Sequence, residues 1–403
     1  MKTTMRKHGN FYPKQMCRIK KAVSWMMAVL LAGLSFLVTG FAKEAVSVDV
    51  QAGQFNCKSA ILMEASTGEI LFEQNAEEAL PPASVTKVMT LLLVMEAIED
   101  GKLRYEDMVT ASANACSMGG SQIYLEEGEQ MTVEDMIKSV VIASANDAAV
   151  ALAEHITGTE AAFVEMMNNR AKELGMTSTN FENTNGLDDT AVNHVTSAKD
   201  IAIMSRELIR HKRITEYSSI WMDTIRNGEF GLTNTNRLVR FYNGATGLKT
   251  GSTSKAGFCV SATAERGGMS LICVIMAAPS RDIRNAAATS LLDWGFANYT
   301  VYEREAGTVG TLPVIGGVRS TCQASYDRFH SVVSKSDASK IQSTTELPET
   351  LTAPIQKGQK IGSVVYTLDG KEIGRIDVMA DEAVEGIGFW DVVIRLLRTM
   401  SAC

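Results

Sequence analysis

Histidine is scarce in this chain, and the spacings that bind metals are missing. The five histidines (His8, His155, His194, His211 and His330) stand far apart along 403 residues, and neither Cys-x-x-Cys nor His-Glu-x-x-His occurs. No zinc site is therefore expected, and no cofactor. Positive charge is also short once the N-terminus is set aside. Residues 1–42 carry seven Lys or Arg (Lys2, Arg6, Lys7, Lys14, Arg18, Lys20 and Lys21) and no acid, so their loss moves the formal charge from -7 to -14. That balance argues against nucleic acid as a partner. No internal repeat is evident. Cysteine pairing is not needed either: the six cysteines beyond residue 42 (Cys57, Cys116, Cys259, Cys273, Cys322 and Cys403) are scattered through a chain long enough to bury a full core. They read as small buried hydrophobes, with any disulfide left open.

What is present begins with an export signature. The basic N-terminal stretch runs into the 17 fairly apolar residues "AVSWMMAVLLAGLSFLV" and then the small-x-small "GFA" at residues 40–42. Residues 1–42 read as a secretory signal cleaved after Ala42, so that the remainder works outside the cytoplasm. The alternative is an uncleaved anchor, because that run approaches the length of a bilayer span.

After Cys57, two short apolar runs around Ser66, Thr67 and Gly68 predict a β-hairpin, and a helix is predicted to start near Ser84. Helical periodicity then dominates, with cap-like starts at Thr132 and Ser197 and a break at "SAND". Strands return in "TGLKTG", "GFCVSATAE" and "MSLICVIMAA", the last two joined at Arg266-Gly267-Gly268, before the helix "RNAAATSLLDWGF". This order predicts an α+β fold. Residues 43–299 would form one antiparallel sheet assembled from both ends, with flanking helices and an α-helical subdomain between. Residues 300–385 read as a small β-rich domain whose polar stretch "SKSDASKIQSTTELPETLTAP" is a loop, and residues 386–403 as a terminal helix.

Chemistry is suggested by "PPASVTKVMT", which sets Ser84 and Lys87 at the head of a strongly apolar helix. At this spacing the two side chains share a helix face, roughly 5 to 6 Å apart at Cβ. A serine hydroxyl needs a base, and a lysine serves only if burial or a second cation lowers its pKa. Lys249 supplies a second cation in "GLKTG", where Thr250 follows and Gly251 leaves room. Ser144 and Asn146 in "SAN" sit where two helices break, so that a hydroxyl and an amide face a cleft. No histidine partner for Ser84 is apparent, which a lysine base explains. His194, just before a helix, reads as a residue that fixes a loop.

Each motif alone is weak, but their order is specific. S-x-x-K opening a helix, S-x-N between helices and K-T-G before a hairpin resemble the three-part signature of penicillin-binding proteins and serine β-lactamases. "GLKTGSTSKAGFCVSATAERGGMSLICVIMAAPSRDIRNAAATSLLDWGF", "NTNGLDD" and "APIQKGQKIGSVVYTLDGKEI" resemble the low-molecular-mass serine D-alanyl-D-alanine carboxypeptidases, from about Lys58 to the C-terminus. The resemblance implies a β-lactamase/transpeptidase-like domain followed by the β-rich domain. It implies that Ser84 is acylated by a peptidoglycan stem peptide ending in D-Ala-D-Ala, and by β-lactam antibiotics, with Lys87 as base. Ser144 would relay a proton to the leaving D-alanine, Asn146 would hold the substrate amide, and Lys249 and Thr250 would meet the terminal carboxylate. The N–H groups of Ser84 and Ser252, beside Gly251, would form the oxyanion hole; Arg237 is a further candidate for the carboxylate. Many relatives have His where this chain has Ser252, and "NPHGL" where residues 183–187 read "NTNGL", which leaves substrate preference and deacylation rate open.

The rival readings are a β-lactamase, for which no E-x-x-L-N segment is evident, and a non-catalytic wall protein, which has no reason to keep a costly buried lysine. Finally, "GFWDVVIRLLRTMSAC" places Phe389, Val393, Leu396, Leu397 and Met400 on one helical face and Asp391, Arg395 and Arg398 on the other. Too short and charged to span, it predicts a helix lying on the outer face of the cytoplasmic membrane, or else packed on its own domain.

Overall fold

The computed structural model describes residues 55–188 and 191–401. The expected signal at 1–42 and Cys403 therefore lie outside the described residues. β1 (Ser59–Glu64) and β2 (Ile70–Gln74) form the expected hairpin. Its turn is tied by the Glu64 carboxylate, which accepts from the backbone and hydroxyl groups of both Ser66 and Thr67. β3 (Ala245–Thr253), β4 (Gly257–Arg266) and β5 (Met269–Ala278) complete an antiparallel sheet in the order β2-β1-β5-β4-β3. Pairing of β1 with β5 joins the two ends of this part of the chain, with Ile61 opposite Val274.

Every residue of β1 is buried because the sheet is covered on both faces. Ile61 and Met63 join Ile272, Val274 and Met276 in a core shared with α1 (Lys87–Glu99), α2 (Asn146–Thr157), α3 (Glu160–Glu173) and α4 (Ala198–Arg210). Ala60 and Leu62 join Leu271, Cys273 and Ile275 against α5 (Arg281–Asn298) on the other face. A strand sandwiched in this way reads as a continuous apolar run, and the two-residue repeat sorts its side chains between the two cores. α1 to α4 are the helical insertion expected between the strands of the sheet.

Capping follows the sequence in part. Thr132 and Ser197 accept from the N–H groups of Asp135 and Asp200. Asp200 does not reach back; its carboxylate instead holds Ser178 N at 2.9 Å and Thr179 Oγ1 at 2.7 Å. The helix expected near Ser84 starts later. Residues Ala83–Thr86 make a 3-10 turn with Ala83 at φ +50°, and Lys87 is the first residue of α1.

After α5 the chain forms a strand pair (Tyr299–Arg304 with Phe329–Ser334) and a six-stranded sheet with its own core around Cys322, Val364, Tyr366 and Val378. The polar stretch read as a loop contains two strands, Gln342–Glu346 and Leu351–Thr352. The first pairs with Lys360–Leu368 as a fully exposed edge. Its order comes from backbone hydrogen bonds, which side-chain polarity does not report. Cys259, Cys273 and Cys322 are buried free thiols, Cys57 and Cys116 are half-buried, and no disulfide joins the described residues. α6 (Phe389–Ser401) ends the described chain.

Candidate active site

Four segments bring the site together. The 3-10 turn presents Ser84, α1 begins with Lys87, the break before α2 supplies Ser144 and Asn146, and β3 supplies Lys249, Thr250, Gly251 and Ser252. Two glycines are needed for this approach. A Cβ on Gly251 would lie 2.9 Å from Ser84 N and 2.8 Å from Pro82 O, so only glycine lets β3 pass flush against the serine turn. Gly186 sits at φ +83°, and a Cβ there would fall 1.9 Å from Ala83 O.

Lys87 is buried, with its Nζ 3.0 Å from Ser84 Oγ, 2.5 Å from Asn146 Oδ1 and 2.7 Å from Asn185 O. Burial holds its pKa well below the usual lysine value, and the nearby Lys249 cation lowers it further against the opposing pull of Asp147. A neutral amine here donates its two N–H bonds to the two carbonyl-type oxygens and turns its lone pair to the serine hydroxyl. Burial and a second cation are thus both present around this lysine.

Ser144 ends a π turn in the left-handed region, at φ 65° and ψ 29°. Its Oγ accepts from Lys249 Nζ at 2.8 Å, and the same ammonium donates to Thr250 O at 2.9 Å. Lys249 is fully buried; desolvation, then the Arg284 guanidinium, push its pKa down to about 7. Thr250 Oγ1 donates to Thr235 Oγ1. Asn146 is held at both ends, by Lys87 and by Gly119 O at 2.6 Å through its Nδ2. Its described contacts therefore orient the base and brace the 119–125 loop, which Asp147 also fixes by accepting from Ile123 N and Leu125 N.

A polar pocket of about 150 Å³ lies over these groups, lined by Ser84, Ser144, Thr250, Ser252, Arg281 and Arg284 among others. Arg284 was not singled out in the sequence. It is buried on the first turn of α5, and desolvation with the neighbouring Arg281 brings its pKa down to about 10. Arg237 is exposed and lines a neighbouring cleft instead of this pocket. His194 behaves as a loop brace. Its Nδ1 accepts from Glu182 N, so its Nε2 donates to Thr86 Oγ1 at 2.7 Å, and Thr86 in turn holds Ala83 O. Burial pushes its pKa down to about 4. Among the described residues, no group of His, Cys, Asp and Glu is arranged to hold a metal.

Comparison with known proteins fits this arrangement. Residues 44–280 match a family model described as D-alanyl-D-alanine carboxypeptidase, and residues 296–386 match the C-terminal domain of penicillin-binding protein 5. The chain is 40% identical over 386 residues to the D-alanyl-D-alanine carboxypeptidase DacF of Bacillus subtilis, covering 93% of this chain and 97% of that protein. Penicillin-binding protein 5 from Haemophilus influenzae aligns with a TM-score of 0.73 and 34% identity, over 82% of this chain and 98% of its own. Penicillin-binding protein D2 from Listeria monocytogenes, solved in an ampicillin-bound form, aligns with a TM-score of 0.56 and 33% identity, over 60% of this chain and 98% of its own.

Proposed function

The chain belongs to the D-alanyl-D-alanine carboxypeptidase family of serine peptidases, and on that premise we propose how its residues divide the reaction. It is a D-alanyl-D-alanine carboxypeptidase; the relatives and solved neighbours favour this over a β-lactamase. Lys87 takes the Ser84 proton as Oγ attacks the penultimate D-alanine carbonyl of a peptidoglycan stem peptide. The backbone N–H groups of Ser84 and Ser252 receive the oxyanion. Ser144 passes a proton to the leaving D-alanine nitrogen. Lys249 and Thr250 meet the terminal carboxylate, and Arg284 adds positive potential behind them. Water then splits the ester. Asn146 orients Lys87. The observation that carries this reading is the buried Lys87 amine, 3.0 Å from Ser84 Oγ with two oxygen acceptors and a second cation nearby.

The same reading makes the chain a target of β-lactams, as the ampicillin-bound Listeria relative is. We assign residues 1–42 to an export signal, 43–299 to the peptidase domain, 300–385 to the β-rich domain and 386–403 to an interfacial anchor, which puts the site on the outer face of the cytoplasmic membrane. No helix among the described residues is long and apolar enough to cross a membrane. α6 leaves Phe389, Trp390, Leu397 and Met400 between 61% and 78% exposed, as a helix lying in an interface requires. Labelling with a fluorescent penicillin followed by peptide mapping tests the assignment. A stable adduct on Ser84, absent in Ser84→Ala, is expected; an adduct elsewhere on folded protein overturns it.

A further inference from the structure

Beside the Ser84 pocket lies a larger cleft of about 540 Å³ whose lining includes Trp221, Thr235, Arg237, Arg240, Phe241 and Arg281. Thr235 and Arg281 line both spaces, so the second continues the first. Thr250, placed above at the substrate's terminal carboxylate, donates to Thr235 Oγ1 at 2.8 Å. The continuation therefore departs from the carboxylate end, the side of the leaving amine and not of the acyl chain. A leaving D-alanine ends at that carboxylate and does not extend into it.

The lining is built for an anion. It holds three guanidinium groups and no carboxylate. Arg281 is the first residue of α5, where the helix end favours negative charge, and Ser280 already caps that end by accepting from Ile283 N at 3.2 Å. The Arg281 cation thus does nothing for the helix. The Arg240 guanidinium lies 5.4 Å from the Trp221 ring and 5.7 Å from the Phe241 ring. The cation lies near both rings, and among the described residues its N–H donors meet no acceptor. Phe241, 73% exposed, meets Trp221 edge-on at 6.3 Å and offers an apolar wall for methylene groups.

We propose that this cleft is an anion subsite for leaving groups longer than D-alanine, namely amines that carry a second carboxylate a few methylenes beyond the scissile bond. The inference rests on the carboxypeptidase reading and extends it to acyl-D-Ala–X bonds. Ser84 Oγ forms the ester to the D-alanine carbonyl and the C–N bond breaks. The amine of X leaves with the proton that Ser84 gave up, and water later splits the ester and restores the serine hydroxyl. The carboxylate of X meets Arg237, Arg240 and Arg281 while its methylenes lie on Phe241.

The test measures kcat/KM on diacetyl-L-Lys-D-Ala-X with the chain lacking residues 1–42. X is D-alanine, D-glutamate, D-2-aminoadipate, or the side-chain amide of either acid. At low salt the better acid should exceed its own amide by about fivefold, the size of an exposed charge pair. The preference should shrink in about 0.5 M NaCl and fall to near unity in Arg237→Gln and in Arg240→Gln. Equal rates for acid and amide in the parent, or a preference untouched by both substitutions, overturns the subsite while D-alanine turnover stands. Failure on every X, D-alanine included, sinks the carboxypeptidase reading and this inference with it; the D-alanine arm separates the two results.

Discussion

Replacing Lys87 by arginine puts a fixed positive charge at the head of α1 and, on the proposed mechanism, removes the base. Nζ sits within 3.0 Å of Ser84 Oγ, 2.5 Å of Asn146 Oδ1 and 2.7 Å of Asn185 O, a pocket sized for one nitrogen. A guanidinium stays protonated near neutral pH, so it cannot take the serine proton, and its planar fork does not match three converging oxygens. A positioned general base is worth about 10²- to 10⁴-fold. Loss of both proton acceptance and fit places Lys87→Arg toward the upper end, a slowing of at least about a thousandfold, or about 4 kcal/mol in the barrier. Stopped-flow acylation by a fluorescent penicillin reads this directly, with thermal unfolding as the fold control. In the parent the acylation rate should rise with pH and then level off, because only the neutral amine is a base and burial has lowered its pKa. A folded Lys87→Arg that acylates within tenfold of the parent would refute the assignment of Lys87 as base.

Two further outcomes are expected. His194 stays neutral in the folded protein down to about 4 against a reference of 6.5, so between those values the unfolded chain binds more protons and stability falls as pH drops, by up to about 3 kcal/mol. Urea midpoints at pH 7.5 and 4.5 should diverge more for the parent than for His194→Gln, and an equal pH dependence would remove the brace from this role. Deleting residues 388–403 from a chain lacking 1–42 should release an active protein that no longer floats with liposomes. Full burial of a large apolar side chain is worth about 1.5 to 3 kcal/mol and interfacial burial only part of that, yet four exposed ones suffice for reversible attachment; equal flotation of both forms would show α6 to be no anchor.

The candidate cluster is legible because its members are side chains in short motifs whose order is specific. Ser84, Lys87, Ser144, Asn146 and Lys249 all converge in the structure. What the sequence hid is held by backbone or by tertiary approach. Asn185 contributes a carbonyl oxygen to Lys87, which no residue type announces. Arg284 comes from a helix that packs on the far face of the sheet, and in "SRDIR" it reads as a solvated first turn. A clue was available: two arginines at a helix N-terminus oppose the local dipole and call for another reason. Arg237, a candidate for the carboxylate, lines the adjoining cleft, a placement that no motif announces. The exposed edge strand Gln342–Glu346 lacks the apolar alternation that pattern reading depends on.

On the proposed mechanism, the crowding of cations accounts for a site that turns over a peptide yet is held by a β-lactam. Lys87, Lys249 and Arg284 are all buried, and Asp147, the carboxylate that acts on Lys87, is committed to the N–H groups of Ile123, Leu125 and Ala148. Buried charge of one sign is unfavourable, and the lowered pKa values of all three groups, set first by desolvation, express that cost. A substrate carboxylate relieves it, so binding energy is gained where the reaction needs orientation. On the proposed mechanism, D-alanine leaves with that carboxylate after acylation, the pocket is again short of an anion, and water can enter beside the ester. In a β-lactam the departing nitrogen remains tied to the acyl group through the opened ring, and so does its carboxylate. On that mechanism the anion then stays among Lys249, Thr250 and Arg284, occupying the space that water needs.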